Sequence, residues 1–331
     1  MKRLVLFLLS LSLLLSACDD STTAQKETLR VDGVTASPEF FTFFDPSVYH
    51  ELIIDVSKLN LDTLDMFMRQ QYTKYGHYRI SSYVKAKLTV RENGKDVLVM
   101  EDVGLRTHGN VFSRYLIETD GTTMNTLHWR LSFDETFDLE EDTKEYKIRK
   151  QRNLFGLENL VLKWNKTSQG TPHPSDPYIN EAYAYSLYAK AGIPASQASL
   201  VHVIFRVNGR RIDQGVMTMV EPVDDAFLQK RFPNDQDNGN LYKVLWQMQP
   251  ADFRKTDRVL FGVKNEEDNY FPPYDIKTNR DTNTGEDLKD FIGDYQFKHG
   301  EDLFETLDNT LDWENFYTFN AMNYLIGNPD D

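Results

Sequence analysis

The sequence predicts an α+β fold, rich in strands to about residue 250 and helical after about residue 285. Two hairpin signatures, one capped helix set among strands, and a run of helical periods near the end carry that prediction. In "SYVKAKLTVRENGKDVLVMEDVGLRTHG" apolar and polar residues alternate on both sides of Asn93-Gly94, and "LVHVIFRVNGRRIDQGVMTMVEPV" does the same around Asn208-Gly209. Asn-Gly supplies the positive φ angles that a two-residue turn needs, and alternation gives each strand one inward face.

From the amino terminus, Lys2 and Arg3 precede an apolar run from Leu4 to Leu9 that continues as Leu11, Leu13, Leu14 and Leu15. This is the charge and apolar pattern of a secretory leader, too short for a permanent membrane span. Leu15-Ser16-Ala17-Cys18 resembles the lipobox of bacterial lipoproteins, in which the leader is removed and the cysteine becomes an acylated first residue. Cys18 is the only cysteine, so neither a disulfide framework nor a thiolate metal site is available once it is lipidated. Acyl burial at about 0.8 kcal/mol per methylene would anchor the chain in a membrane of the cell envelope, on its periplasmic or extracellular face. Residues 19–38 read as a polar tether, and 39–331 as the folded part, enough for one two-lobed unit or two small domains.

The formal charge of −14 becomes −16 when Lys2 and Arg3 leave with the leader. Nucleic acid is therefore excluded as a natural partner, and a basic envelope or secreted protein suits the surface better.

Between the hairpins, "LHWRLSFD" (127–134) and "ENLVLKWN" (158–165) read as further strands. "SDPYINEAYAYSLYAKAG" then has Ser175 or Asp176 as N-cap, Pro177 in the first turn, Ile179, Tyr183 and Leu187 at helical spacing, and Gly192 as the stop. Helical periods return in "GEDLKDFIGDYQ", "GEDLFETL" and "DWENFYTFNAMNYLIG".

The acidic stretches "DQDNG" and "DTNTG" fail the calcium-loop spacing, because Gly239 and Gly285 fall fifth rather than sixth and Trp246 and Ile292 stand at the twelfth position. Walker, GxGxxG, G-x-S-x-G and HExxH motifs are absent, and the seven histidines have no metal spacing. No residue is assigned as a metal ligand.

Taken in order, "GLRTHGN", the helix and hairpin "DPYINEAYAYSLYAKAGIPASQASLVHVIFRVNGR", "DQGVMTMVEPVDDAFLQKRF", "GNLYK" and "NYLIGNPDD" resemble the CotH (spore coat protein H) kinase family over about residues 100–331. The resemblance implies an atypical protein-kinase-like fold, with a strand-rich N-lobe over about 40–250 and an incomplete helical C-lobe over about 251–331. It also implies ATP and Mg2+ as cofactors and phosphorylation of Ser or Thr in an envelope or secreted protein. The alternative from another class is a membrane-tethered binding or scaffold lipoprotein that keeps such a fold without catalysis.

Phosphoryl transfer needs cations on the phosphates and an Asp to orient the accepting hydroxyl. By the resemblance, Arg106 in "LRTHGN" would contact phosphate, although it also reads as a hairpin-end charge in solvent. Many relatives carry a lysine just before "HWRLSFD", where this chain has Leu127 and His128. Lys163 could supply the charge from the next strand or be a solvated strand lysine. Glu181 matches the Glu that holds a phosphate-binding lysine, and competes with a plain surface Glu. Glu221 ends the strand where the family joins its lobes, with Met217, Met219 and Val220 lining either an adenine slot or a strand core. Lys243 in "NLYK" is a second nucleotide contact or a strand-end lysine. Asp330 in Gly327-Asn328-Pro329-Asp330 matches the catalytic Asp, and competes with an acidic tail after a helix cap. Because the family's following strand and second metal carboxylate do not follow, negligible kinase activity is expected of the chain as it stands.

Overall fold

The computed structural model describes residues 27–109, 114–164, 178–233, 239–245, 251, 253, 261–265 and 269–328. Cys18 and Asp330, and with them the leader and the end of the Gly-Asn-x-Asp stretch, lie outside the described residues.

Strands β1 (Leu29–Val31) and β2 (Val34–Ala36) form an antiparallel hairpin in part of what composition assigns to the tether. Val34 and Ala36 project from one face of β2 into the main core, so two small apolar side chains are enough where other elements supply the packing partners. Helix α1 (Pro38–Phe44) starts at Ser37, whose hydroxyl accepts from the Phe40 backbone N–H, and buries Phe40, Phe43 and Phe44. Strand β3 (His50–Val56) leads through the N-cap Ser57 into α2 (Lys58–Tyr75). That helix buries Leu61, Leu64 and Met68 at helical spacing and stops at Gly76, in the left-handed region at φ 75°.

Both predicted hairpins form. Strands β4 (Val84–Glu92) and β5 (Lys95–Thr107) turn at Asn93 and Gly94, with φ of 47° and 82°. After β6 (Trp129–Ser132), α3 (Lys144–Lys150), β7 (Asn159–Trp164) and α4 (Asn180–Lys190) comes the second hairpin. Its strands β8 (Ala198–Val207) and β9 (Arg210–Val220) turn at Asn208 and Gly209, with φ of 49° and 81°.

The hairpins are not separate units. They join β3, β6 and β7 in one closed barrel of order β3-β4-β5-β6-β7-β9-β8. Every neighbouring pair is antiparallel except β3 with β8, which run parallel from Glu51 opposite His202 to Val56 opposite Val207. The inward residues, among them Leu52, Leu105, Trp129, Leu162, Phe205 and Met217, form one core. The Trp129 and Phe205 rings lie 4.9 Å apart within it. Met217 and Met219 are fully enclosed there, so of the two readings of "GVMTMVE" the strand core applies and these methionines line no adenine slot.

After α5 (Asp225–Arg231), a small sheet of order β10-β12-β11 is built from β10 (Tyr242–Val244), β11 (Phe261–Gly262) and β12 (Tyr274–Ile276). Strand structure therefore runs past residue 250, into the part that the family resemblance assigns to the helical C-lobe, and gives way to helix after residue 285. The late helices form as their periods predict: α6 (Glu286–Phe297), α7 (Glu301–Thr310) and α8 (Trp313–Ile326), the last capped by Gly327 at φ 65°. Among the described residues no helix is long and apolar enough to cross a membrane.

Candidate functional site

The alternation that sends Leu105, Trp129, Leu131, Leu160 and Leu162 into the barrel core sends the intervening residues to the other face, among them the cations Arg106 of β5, Arg130 of β6 and Lys163 of β7. Arg106 stands opposite Arg130 across β5 and β6. Trp129 stands opposite Leu162, which sets His128 beside Lys163 one step along the ladder. The Trp164 backbone N–H donates to His128 Nδ1 at 2.9 Å, so the ring is a neutral imidazole with its proton on Nε2. Burial, and after it the Lys163 ammonium, brings the His128 pKa down to about 4.

Lys163 forms an ion pair with Glu181 Oε1, at the start of α4. A carboxylate is favoured in the first turn of a helix, which helps to fix Glu181 there. Burial alone would lower the Lys163 pKa, but Glu181 and Tyr185 hold it above the usual lysine value. Helix α4 is in turn tied to α8, where the Tyr188 hydroxyl donates to Asn323 Oδ1 and the Tyr188 ring stacks on Phe319 at 5.9 Å. Asn323 is buried, and its backbone carbonyl and Oδ1 accept from the backbone N–H and side-chain amide of Asn328, at 2.9 and 3.2 Å. One asparagine thus joins the helix that carries Glu181 to the Gly327-Asn328 turn.

Lys243 lies on β10 opposite Asp275. Burial lowers the pKa of its ammonium, Lys277, Arg79 and Lys163 repel it further, and Asp275 opposes the fall, so Lys243 shares an electrostatic neighbourhood with Lys163. Arg106 has a structural task. Its NH1 donates to Ile80 O at 2.9 Å, an oxygen that Arg114 NH1 also reaches at 3.0 Å, and its guanidinium lies 5.0 Å from the centre of the Tyr83 ring. Glu221 is buried, with Arg231 at 2.6 Å, Lys230 at 3.4 Å and the Gln197 backbone N–H at 3.1 Å. That carboxylate fastens α5 to the end of β9 and is not open toward a ligand.

The fold thus gathers Lys163, Glu181 and Lys243, directs Arg106 and Glu221 to structural contacts, and adds His128, Arg130, Lys277 and Asn323, which sequence patterns did not single out as site residues. A family comparison finds residues 105–331 matched by the family described as CotH kinase protein. The chain belongs to the CotH family. No curated protein matches it. Within this CotH chain, Leu127 stands in the core and His128 lies beside Lys163 of the neighbouring strand. Among the described residues no group of three or more His, Cys, Asp or Glu gathers as a metal site, and none is assigned to magnesium.

Proposed function

We propose that this CotH chain binds ATP through the cationic outer face of its barrel and supports magnesium-dependent phosphoryl transfer to Ser or Thr of an envelope or secreted protein. The observation that carries this reading is the Lys163–Glu181 ion pair. A lysine on a strand, held by a helix carboxylate, presents a fixed charge to nucleotide phosphates. Lys163 would contact the phosphates, Glu181 would orient it, and Lys243 would add a second charge. His128, with its proton on Nε2, would offer a neutral donor beside them. Magnesium, when bound, offsets charge on the β- and γ-phosphates. Asp330 would orient the accepting hydroxyl, and acylated Cys18 would hold the protein in the envelope membrane.

A second reading is a tethered binding lipoprotein without transfer, and it draws on Leu127 and His128 standing where relatives carry lysine. Calorimetry with ATP and magnesium, paired with transfer of labelled phosphate to a basic protein, separates the readings. The kinase reading expects Lys163→Ala to weaken ATP binding by about 1–3 kcal/mol, the scale of one charge-assisted contact. In an extended form that shows transfer, it also expects Asp330→Asn to abolish transfer with binding kept. ATP binding by the folded chain would support the nucleotide reading, and no ATP binding would remove it and favour the binding lipoprotein.

A further inference from the structure

The wall of the barrel formed by β3, β8 and β9 brings a phenol, a histidine and a carboxylate together. Glu51 on β3 and His202 on β8 are direct partners across the parallel seam, and alternation puts Tyr49, just ahead of β3, on the face of Glu51. The β4–β5 turn fixes the backbone of Tyr49: the Asn93 N–H donates to Tyr49 O at 2.9 Å, and the Tyr49 N–H donates to Asn93 Oδ1 at 3.4 Å. On β9 the ladder pairs Gly215 with Val203 and Asp213 with Ile204, so Gln214 is an extra residue, and Gly215 takes a φ of 74°. This bulge returns Asp213 to the face of His202.

His202 Nε2 lies 2.7 Å from Asp213 Oδ1, and His202 Nδ1 lies 2.8 Å from the Tyr49 hydroxyl oxygen. An ionised carboxylate only accepts, so Nε2 carries the proton and Nδ1 of the neutral ring accepts from the Tyr49 O–H. The competing acceptor, Glu51 Oε1, stands 3.5 Å from the same oxygen. Burial would raise the Asp213 pKa, but hydrogen bonds from His202 and from the Gly215 N–H, the latter at 2.9 Å, hold it below the usual carboxylate value. Desolvation, and after it the Glu51 carboxylate, hold the Tyr49 hydroxyl above the usual tyrosine value, so at rest it keeps its proton. Tyr49 is 52% exposed and open to an incoming molecule. A hydroxyl within reach of a histidine base, which a third group orients, is the arrangement that activates an oxygen nucleophile.

We propose that Tyr49 is a nucleophilic modification site that takes an acyl group from an activated ester, with His202 as its general base and Asp213 as the positioning residue that orients the ring. The proposal goes beyond the nucleotide reading and does not depend on it. The Tyr49 oxygen bonds to the ester carbonyl carbon while its proton passes to His202 Nδ1. The bond from that carbon to the leaving oxygen then breaks, and the departing alcohol takes the proton from His202. Between the two steps the Asp213 carboxylate stabilises the imidazolium. A neutral acyl group suits the place better than a phosphoryl group, whose charge Glu51 and Asp213 would repel.

The test is to treat the full chain with p-nitrophenyl acetate and to follow acetylation of each tyrosine by peptide mass spectrometry. Tyr72, 50% exposed, is the reference for a phenol of equal exposure. Tyr49 is expected to react about tenfold or more faster than Tyr72, a modest share of what a general base contributes. His202→Gln should bring Tyr49 down to the rate of Tyr72, and Asp213→Asn should slow it in part. The ratio of the two tyrosines within one protein is a readout that a merely structural role of His202 or Asp213 would not move. A rate at Tyr49 no higher than at Tyr72, or one that His202→Gln leaves unchanged, would overturn the proposal. Should thermal melting find His202→Gln unfolded, Asp213→Asn decides, because the Asp213 side chain is 42% exposed and its loss is easily borne. An unchanged ratio in that variant would then overturn the proposal.

Discussion

The ammonium of Lys163, near the end of β7, is paired with the carboxylate of Glu181, in the first turn of α4. Both side chains are about one third exposed, at 36% and 30%, so the pair adds little to stability, on the order of 0–1 kcal/mol. Its worth lies in placing a charge. Glu181→Gln is expected to leave the melting temperature almost unchanged and to weaken ATP binding about tenfold, the equivalent of about 1.4 kcal/mol. The exchange Lys163→Glu with Glu181→Lys restores a pair but moves the cation, and it should not restore binding. Calorimetry that found the exchanged protein binding ATP like the wild type would show that the pair acts by stability alone.

The neutral state of His128 gives the fold a pH dependence of known sign. The folded pKa of about 4 lies below the ordinary value of 6.5, so the unfolded chain takes up a proton here before the folded one does. The contribution is fully present above pH 6.5 and is lost as pH falls toward 4. Each unit of difference is about 1.4 kcal/mol. Protonation at Nδ1 would also set two donors against each other, ring and Trp164 backbone N–H. Melting followed from pH 7 to pH 4 should fall less steeply for His128→Asn than for the wild type. Parallel curves would contradict the assignment. His108, also held neutral by burial, is common to both proteins and cancels in the comparison.

Glu221 and Arg231 form the opposite kind of pair, with side chains 1% and 3% exposed. Glu221→Gln leaves buried Arg231 without a counter-charge, and the expected loss in urea unfolding is about 3–5 kcal/mol. Glu286→Gln, which breaks the exposed contact with Lys289, should shift stability by no more than about 0.5 kcal/mol. Similar losses at the two sites would mean that burial is not what sets the cost.

Cys18→Ser tests the anchor. If Cys18 is acylated as proposed, its loss is expected to move the protein out of membrane fractions or to stop removal of the proposed leader. A Cys18→Ser protein that stayed membrane-bound with its leader removed would sink the lipoprotein reading.

Local order was legible wherever a turn or a cap wrote it. Asn93-Gly94, Asn208-Gly209 and the Gly327 stop each fix φ within one or two residues, and the flanking periods follow from that. Barrel closure was not legible, because pairing β3 with β8 depends on residues about 150 positions apart and no local pattern records the partner of a strand. The site divides in the same way. Lys163 and Glu181 could be picked out individually, but their meeting depends on how α4 packs. Lys277 and Asn323 carry no signal of their own: one becomes significant through sheet register, the other through a buried contact with a helix that precedes it by more than a hundred residues. The short hairpin β1–β2 was hidden by composition, since its polar flanks outnumber the two side chains it buries.

The parallel seam between β3 and β8 also sets the tempo of folding. Lengthening a loop adds only about 0.6 kcal/mol of closure entropy per doubling, so a seam this distant is thermodynamically modest, yet contacts so remote in sequence slow the search for the native state. Until β8 has arrived, β3 has one edge unpaired, and a strand edge of that kind recruits other chains. A polypeptide exported behind a leader would emerge amino terminus first and hold that edge open for the time it takes some 150 residues to follow. Its yield in the envelope would then be governed by how well β3 is shielded in that interval, and a periplasmic holdase that binds short apolar strands such as "HELIIDV" would raise the yield without any effect on the finished barrel.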